Sequence, residues 1–329
     1  MSYQTNNLAY LADMTTPRAR LLAMLVYRRP ARSKTEAAFI GRFIKPTGAE
    51  ADKYGNYWLA IGESKVIWSC HTDSVHAVGG LQTVNVTDGY ATATDSTCLG
   101  ADCAVGVWLM LEMIAAKVPG LYLFHRDEEI GGRGARHIAT VYAEFIKRYD
   151  YAIAFDRRGC SSVITHQAGG LCASGAFVQS ISVMLPLGYG ADDSGIYTDT
   201  AEYTDLIGEC SNISVGYRDE HTSAERLDIS HALALRDSMI VFDESRLVCS
   251  RQPGEADAPY CFEKDFAWDA YDNSGYQSKG RSARESARAF HGTEYFDLTD
   301  LCRRSPDLVA DYLEHMGLDV EDIMNWNMG

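Results

Sequence analysis

The sequence predicts an α/β fold in which a central, mostly parallel mixed sheet is flanked by helices. Short β-rich apolar runs recur along the chain, at Val66-Ile67-Trp68, Leu121-Tyr122-Leu123-Phe124, Tyr151-Ala152-Ile153-Ala154-Phe155 and Ile213-Ser214-Val215. Helical stretches lie between them, and strands that alternate with helices build a largely parallel sheet covered on both faces. Each run is followed by a short acidic or histidine-bearing signature: His71-Thr72-Asp73, Asp127-Glu128-Glu129, Asp156 and His221-Thr222. In an open α/β sheet, functional groups collect outside the carboxyl ends of the strands. The four strands are therefore expected to deliver these signatures to one edge.

The first expected element is an amphipathic helix over 15–28, with Thr16 capping it and Pro17 in its first turn. Asp52-Lys53-Tyr54-Gly55-Asn56 reads as a turn into a strand at 57–61, and the next strand is 66–70. Residues 83–86 and 90–94 alternate around Asp88-Gly89, a strong hairpin signal. Gly100 supplies a permissive turn, after which Asp102 opens a helix running to about Lys117. Strand 121–125, helix 134–148, strands 151–155 and 162–165, an element of either type near 171–184, strand 212–216 and a helix from Ser230 to about Ser245 follow.

After Val248 the character changes. Residues 250–290 hold Pro-Gly, repeated aromatics and a Ser-Lys-Gly-Arg-Ser stretch without clear periodicity, and 305–326 reads as a helical hairpin capped by Ser305 and broken at Gly317. The expected division is a main domain over 1–249 and an appendage over 250–329.

Hydrophobic residues make up 46% of the 329 and charged residues 23%, values ordinary for a soluble globular chain. Thirty basic against 45 acidic residues give a formal net charge of −15, which argues against a nucleic-acid-binding surface and gives no support to binding an anionic membrane. No apolar run approaches the roughly 20 residues that span a bilayer, and the polar start lacks the features of a signal peptide. Nine cysteines, an odd number without C-x-x-C spacing, point to a reduced, cytoplasmic setting.

Taken singly, the signatures are ambiguous. Asp102 has the position of a helix cap, Glu128-Glu129 that of a solvated acidic turn, Asp156 that of a turn cap, and His221 that of a surface histidine. Taken together, several carboxylates on one edge repel one another unless something positive sits among them. Two histidines among them make a pair of divalent metal ions the economical answer.

The set resembles the co-catalytic zinc peptidases, the superfamily containing the M20, M28 and M42 exopeptidases. The carrying segments are Ser69-Cys70-His71-Thr72-Asp73, Leu99-Gly100-Ala101-Asp102, Asp127-Glu128-Glu129-Ile130-Gly131-Gly132, Phe155-Asp156, and Val215-Gly216-Tyr217 through His221-Thr222, and the turn at Asp52 to Asn56 also fits. The resemblance covers about residues 15 to 248. It implies that His71, Asp102 and Asp156 hold one zinc ion and that Asp102, Glu129 and His221 hold the other, with Asp102 bridging; cobalt or manganese would suit the same donors. It makes Glu128 the general base and Asp73 the partner that orients His71, and it implies a cis peptide at Asp102–Cys103. Cys103 departs from the aspartate or asparagine common in relatives.

Only 65 residues separate Asp156 from His221, too few for the lid domain inserted in M20 relatives. A compact architecture without an inserted lid follows, a monomer becomes possible, and Tyr197 and Tyr203 become candidates for the oxyanion donor that a lid would supply. The implied activity is that of a di-zinc exopeptidase on small peptides, an aminopeptidase or dipeptidase. The alternatives are an amidohydrolase of N-acyl amino acids on the same centre and a non-catalytic relative that binds peptide or a partner.

Overall fold

The computed structural model describes residues 10–12, 14–94 and 96–255. Its centre is an eight-stranded mixed sheet with the order Gly190–Asp192, Ser162–Ile164, Glu209–Ser214, Tyr151–Arg157, Val66–His71, Gly120–His125, Tyr57–Ile61 and Glu50–Ala51. The four inner strands, from Glu209–Ser214 to Gly120–His125, run parallel. Antiparallel pairings begin at Ser162–Ile164 on one side and at Tyr57–Ile61 on the other. Every residue of Val66–His71, Gly120–His125 and Glu209–Ser214 is buried. Since alternate side chains point to opposite faces, both faces are covered, as a parallel sheet requires.

The cover comes from helices, the longest of them apolar apart from Asp102 and Glu112. Ala101–Ala115 is buried along most of its length and lies on the strands that carry His71 and Asp156, with Pro17–Leu25 and Ile229–Met239 packed against it. Thr16 caps the first of these through Ala19 N at 3.1 Å. Trp108, buried in the long helix, donates its indole N–H to Pro17 O at 3.0 Å and locks the two helices together.

A second, four-stranded antiparallel sheet pairs Tyr217–Arg218, Arg226–Asp228, Tyr90–Thr94 and Thr83–Thr87. Its hairpin turns at Asp88 (φ +50°) and Gly89 (φ +84°), the two left-handed residues that match strand twist. Between Asp156 and His221 the chain supplies strands of the central sheet, the helix Gly175–Ser182 and a 3₁₀ turn at Asp199–Tyr203. No lid is inserted there.

Several expected boundaries move. The 15–28 helix ends at Leu25, because Tyr27–Arg28 pairs as a strand with Gly80–Leu81. The 134–148 helix breaks at Tyr142 into Arg133–Val141 and Ala143–Ile146, and the 230–245 helix stops at Met239. The last inner strand starts earlier than its apolar run, at Glu209. That carboxylate is fully buried because it accepts from the N–H and hydroxyl of Ser174 and from the N–H groups of Ser250 and Arg251. Buried polar side chains with such partners do not betray a strand by hydropathy.

Arg251 in turn donates to carbonyls of Thr204, Ile207, Gly208 and Glu255. The chain is thus held to this domain through Glu255, beyond the expected boundary at 249. The helical hairpin expected over 305–326 lies outside the described residues. No helix among the described residues is long and apolar enough to cross a membrane. All seven cysteines among them are free.

Candidate metal centre

His71 is the last residue of its strand and is 1% exposed. Its Nε2 lies 2.9 Å from Asp102 Oδ1 and 3.3 Å from Asp156 Oδ1. Its Nδ1 faces Asp73 Oδ1 at 3.5 Å. Asp73 also accepts the N–H groups of Glu128 and Glu129, each at 3.2 Å, one on each oxygen. One buried carboxylate therefore orients the imidazole and fixes the backbone of the two glutamates.

On the far side of Asp102, Oδ2 lies 3.1 Å from His221 Nε2, which is 3.3 Å from Glu129 Oε2. Asp156 accepts a hydrogen bond from Thr198 Oγ1 at 2.6 Å. Asp102 is thus the residue common to both halves, and all seven residues singled out in the sequence, His71, Asp73, Asp102, Glu128, Glu129, Asp156 and His221, converge. Donor atoms of Asp102, Glu129 and His221 fall within 4.8 Å of one another; so do those of His71, Glu128 and Glu129, and those of His71, Cys103 and Asp156. The peptide between Asp102 and Cys103 is cis, as expected.

His221 reaches the cluster by a route the sequence did not suggest. Its strand does not end at the site: Gly216, at φ +104°, turns the chain out of the central sheet into the small one. His221 then sits on the loop between Tyr217–Arg218 and Arg226–Asp228, itself left-handed at φ +63°.

The segment before Asp102 is held mainly by side chains. Glu225, 1% exposed, accepts the four consecutive N–H groups of Leu99, Gly100, Ala101 and Asp102, at 2.8, 2.9, 2.8 and 3.2 Å. The carbonyls are taken by His76 at Cys98 (3.1 Å), Gln82 at Leu99 (2.6 Å) and the buried Arg29 at Gly100 (2.8 Å). Asp127 turns away from the cluster and accepts from Arg32 and Tyr54. Glu36 joins Thr72 to Arg126, so the loops after Val66–His71 and Gly120–His125 share one part-buried ion pair. Asn56 accepts from Arg126 N and donates to Gly134 O, bracketing the Glu128-Glu129 turn. Glu225, Glu36, Arg29 and Gln82 were not singled out individually; in sequence the polar run from Thr222 to Glu225 suggests either a cap for the next turn or support for the site.

Electrostatics match the crowding. Burial raises the Glu128 carboxyl well above its ordinary value, with Asp156, Asp199 and Glu129 adding to it against His71. Burial and the charge of Asp102 push Asp156 up to about 7. Burial works against ionised Asp102, yet hydrogen bonds from His221 and His71 hold its carboxyl below the usual range. Hydrogen bonds to Asp102 and Glu129 raise His221 to about 11.

Such a cluster fits divalent cations. Imidazole nitrogen and carboxylate oxygen are the donor set of zinc, cobalt and manganese sites, and Glu129 Oε1 is buried without a hydrogen-bond partner. Neither tyrosine considered as an oxyanion donor has a free hydroxyl. That of Tyr203 lies 2.6 Å from His125 Nε2 in the core, and that of Tyr197 donates to Glu202 at 2.9 Å.

No family model and no curated protein sequence matches this chain. Solved structures do. The fold is similar to that of the aminopeptidase PepT from Bacillus cereus, at 13% identity and a TM-score of 0.55, over 72% of this chain and 98% of that one. A tripeptidase from Staphylococcus aureus matches at 14% identity and 0.56, over 73% and 97%. An aminopeptidase from the archaeon Desulfurococcus kamchatkensis matches at 16% and 0.53, over 68% and 94%. The fold expected from the resemblance is the fold observed.

Proposed function

We propose that this chain is a zinc-dependent exopeptidase that cleaves small peptides. The observation that carries the reading is the geometry of Asp102, whose two carboxylate oxygens face His71 on one side and His221 on the other, with Asp156 and Glu129 completing the two halves. His71, Asp102 and Asp156 would hold one ion and Asp102, Glu129 and His221 the other. Ions bound there supply Lewis-acid polarisation of the scissile carbonyl and a water acidified enough to ionise near neutral pH.

The protein supplies proton transfer and placement. Glu128, beside His71 and Glu129, accepts the proton of the attacking water and returns it to the leaving amine. A carboxylate whose proton affinity is raised by burial suits that task. Asp73 positions both this glutamate's backbone and His71. The free buried thiols support a cytoplasmic setting, and peptidase folds in the neighbouring structures support the substrate class.

Glu128→Gln tests the reading. It should lower kcat on a tripeptide by about 10²- to 10⁴-fold while leaving bound zinc, measured by plasma emission, unchanged. Full activity of the variant would remove Glu128 as the base and the mechanism with it.

A further inference from the structure

Between the loop that follows Asp73 and the segment that precedes Asp102 lies an open pocket of about 390 Å³, lined by Arg28, His76, Ala77, Val78, Ser96 and Thr97. None of these six belongs to the metal cluster. The guanidinium of Arg28 lies across Gly79-Gly80 and makes one hydrogen bond, from Nη2 to Gly79 O at 3.2 Å. A Cβ on Gly80 would stand 2.8 Å from Nη2, so the glycine gives the cation its room. Among the described residues no carboxylate pairs with Arg28, and its Nε is buried without a partner. The Oγ of Ser96, another lining residue, is also buried without a partner.

His76 is not waiting for a ligand. Its Nδ1 meets Ser74 Oγ at 2.8 Å, and its Nε2 lies 3.0 Å from Gln82 Oε1 and 3.1 Å from Cys98 O. Burial, with Arg29 and Arg28 nearby, pushes its pKa down to about 4, so it closes the pocket as a neutral group. Among the described lining residues the formal charge is then that of Arg28, with an apolar wall from Ala77 and the 68% exposed Val78. An unpaired guanidinium N–H, a hydroxyl and an apolar wall are complementary to a carboxylate on a short aliphatic chain.

The pocket adjoins the cluster. His76 reaches Cys98 O, and a Cβ on Gly100 would meet its Cε1 at 2.8 Å. Thr97 precedes Asp102 by five residues, a span of at most about 18 Å when extended, and the left-handed turn at Gly100 shortens it. A peptide of a few residues covers that distance.

The geometry points to this pocket as the subsite for the C-terminal carboxylate of a short peptide whose scissile bond lies at the metal cluster. The inference rests on the exopeptidase reading and narrows it to peptides of a few residues with a free carboxyl end. An acidic side chain carries the same chemistry, so the test separates the two sources.

Steady-state kinetics of the zinc-loaded full chain would compare tri-alanine, tri-alanine amide and Ala-Ala-Asp amide, in the wild type and in Arg28→Gln. The free acid should exceed its amide in kcat/KM by about 10- to 100-fold, the worth of a charge-assisted contact, with the difference in KM. Arg28→Gln should erase the preference while cleaving tri-alanine amide at the wild-type rate, which also reports that the variant is folded. Arg28→Lys should recover part of it. Ser96→Ala, which leaves Arg28 in place, should reduce the preference about ten-fold, consistent with one hydroxyl hydrogen bond to a carboxylate.

Equal wild-type rates on acid and amide, or a preference unchanged in both Arg28→Gln and Ser96→Ala, would overturn the subsite and leave the exopeptidase reading standing. Ala-Ala-Asp amide cleaved as well as tri-alanine, with the same dependence on Arg28, would overturn the C-terminal assignment in favour of a side-chain carboxylate. Cleavage of none of the three peptides would overturn both readings.

Discussion

His71 and His221 face opposite oxygens of Asp102, yet different physics puts them there. His71 ends a fully buried parallel strand, is 1% exposed and has Asp73 behind its ring. His221 is 48% exposed at its side chain and sits in left-handed backbone on a loop of the second sheet. The strand-borne histidine inherits its position from the sheet ladder. The loop-borne one is positioned locally, because Glu225, four residues on, binds Asp102 N while His221 itself meets Asp102 Oδ2. One loop therefore grips the same aspartate at backbone and side chain. A rigid site can be completed by a loop when that loop is tied at two points to the framework.

The largest effect should separate the two halves. His71→Ala removes a buried imidazole from between carboxylates and should lower stability of the metal-free protein by about 3–5 kcal/mol, read by urea denaturation, with loss of bound zinc. A loss below 1 kcal/mol would break the contrast between the halves.

Acid should weaken the framework behind Asp102 next. His76 titrates near 6.5 in an unfolded chain, but only at about 4 when folded, because burial opposes its charge. Between those values the unfolded state binds the extra proton, so stability falls as pH drops from about 6.5 to about 4. The loss is about 3 kcal/mol at 1.36 kcal/mol per unit. His76→Gln does not titrate, so the stability gap between wild type and variant should close by that amount from pH 7 to pH 4; a constant gap would exclude His76.

Glu225→Gln tests the tie itself. Replacing a carboxylate that accepts four N–H groups by an amide should cost about 1.5–3 kcal/mol and weaken zinc retention during dialysis against a chelator. Wild-type retention would mean that the loop positions His221 without Glu225. The smallest stability effect belongs to His221→Ala, below about 1 kcal/mol in the metal-free protein, although zinc binding and activity should both fall. A destabilisation as large as that of His71→Ala would make the two halves equivalent.

Much of the site was legible because its parts are short and sit beside strong strand signals. His71, Glu128, Glu129 and Asp156 each follow an apolar β-rich run, and an apolar run that ends in a charged residue is informative in a doubly covered sheet. Asp102 was legible from the Gly-Ala turn before a long apolar helix. His221 lies beside Asp102 and Glu129 as expected but is carried there by a different element, since nothing local marks Gly216 as the point where the chain changes sheets. Glu225, Glu36, Arg29 and Gln82 look like ordinary surface residues in sequence, and their burial becomes evident only when the partners that satisfy them are known.

The sequence alone determined the class of sheet and where its main strands lie along the chain, because hydrophobic periodicity is a local property. The grouping of His71, Asp102, Glu129, Asp156 and His221 came from the family resemblance of the segments that carry them. Tertiary structure decided the rest. It turned the His221 loop into a second sheet, gave the backbone N–H groups before Asp102 to a glutamate more than 120 residues away, engaged both candidate tyrosine hydroxyls elsewhere, and left Arg28 without a counter-ion among the described residues. Each of these is a pairing of polar groups distant in sequence, and such pairings follow from how the chain closes on itself rather than from any single segment.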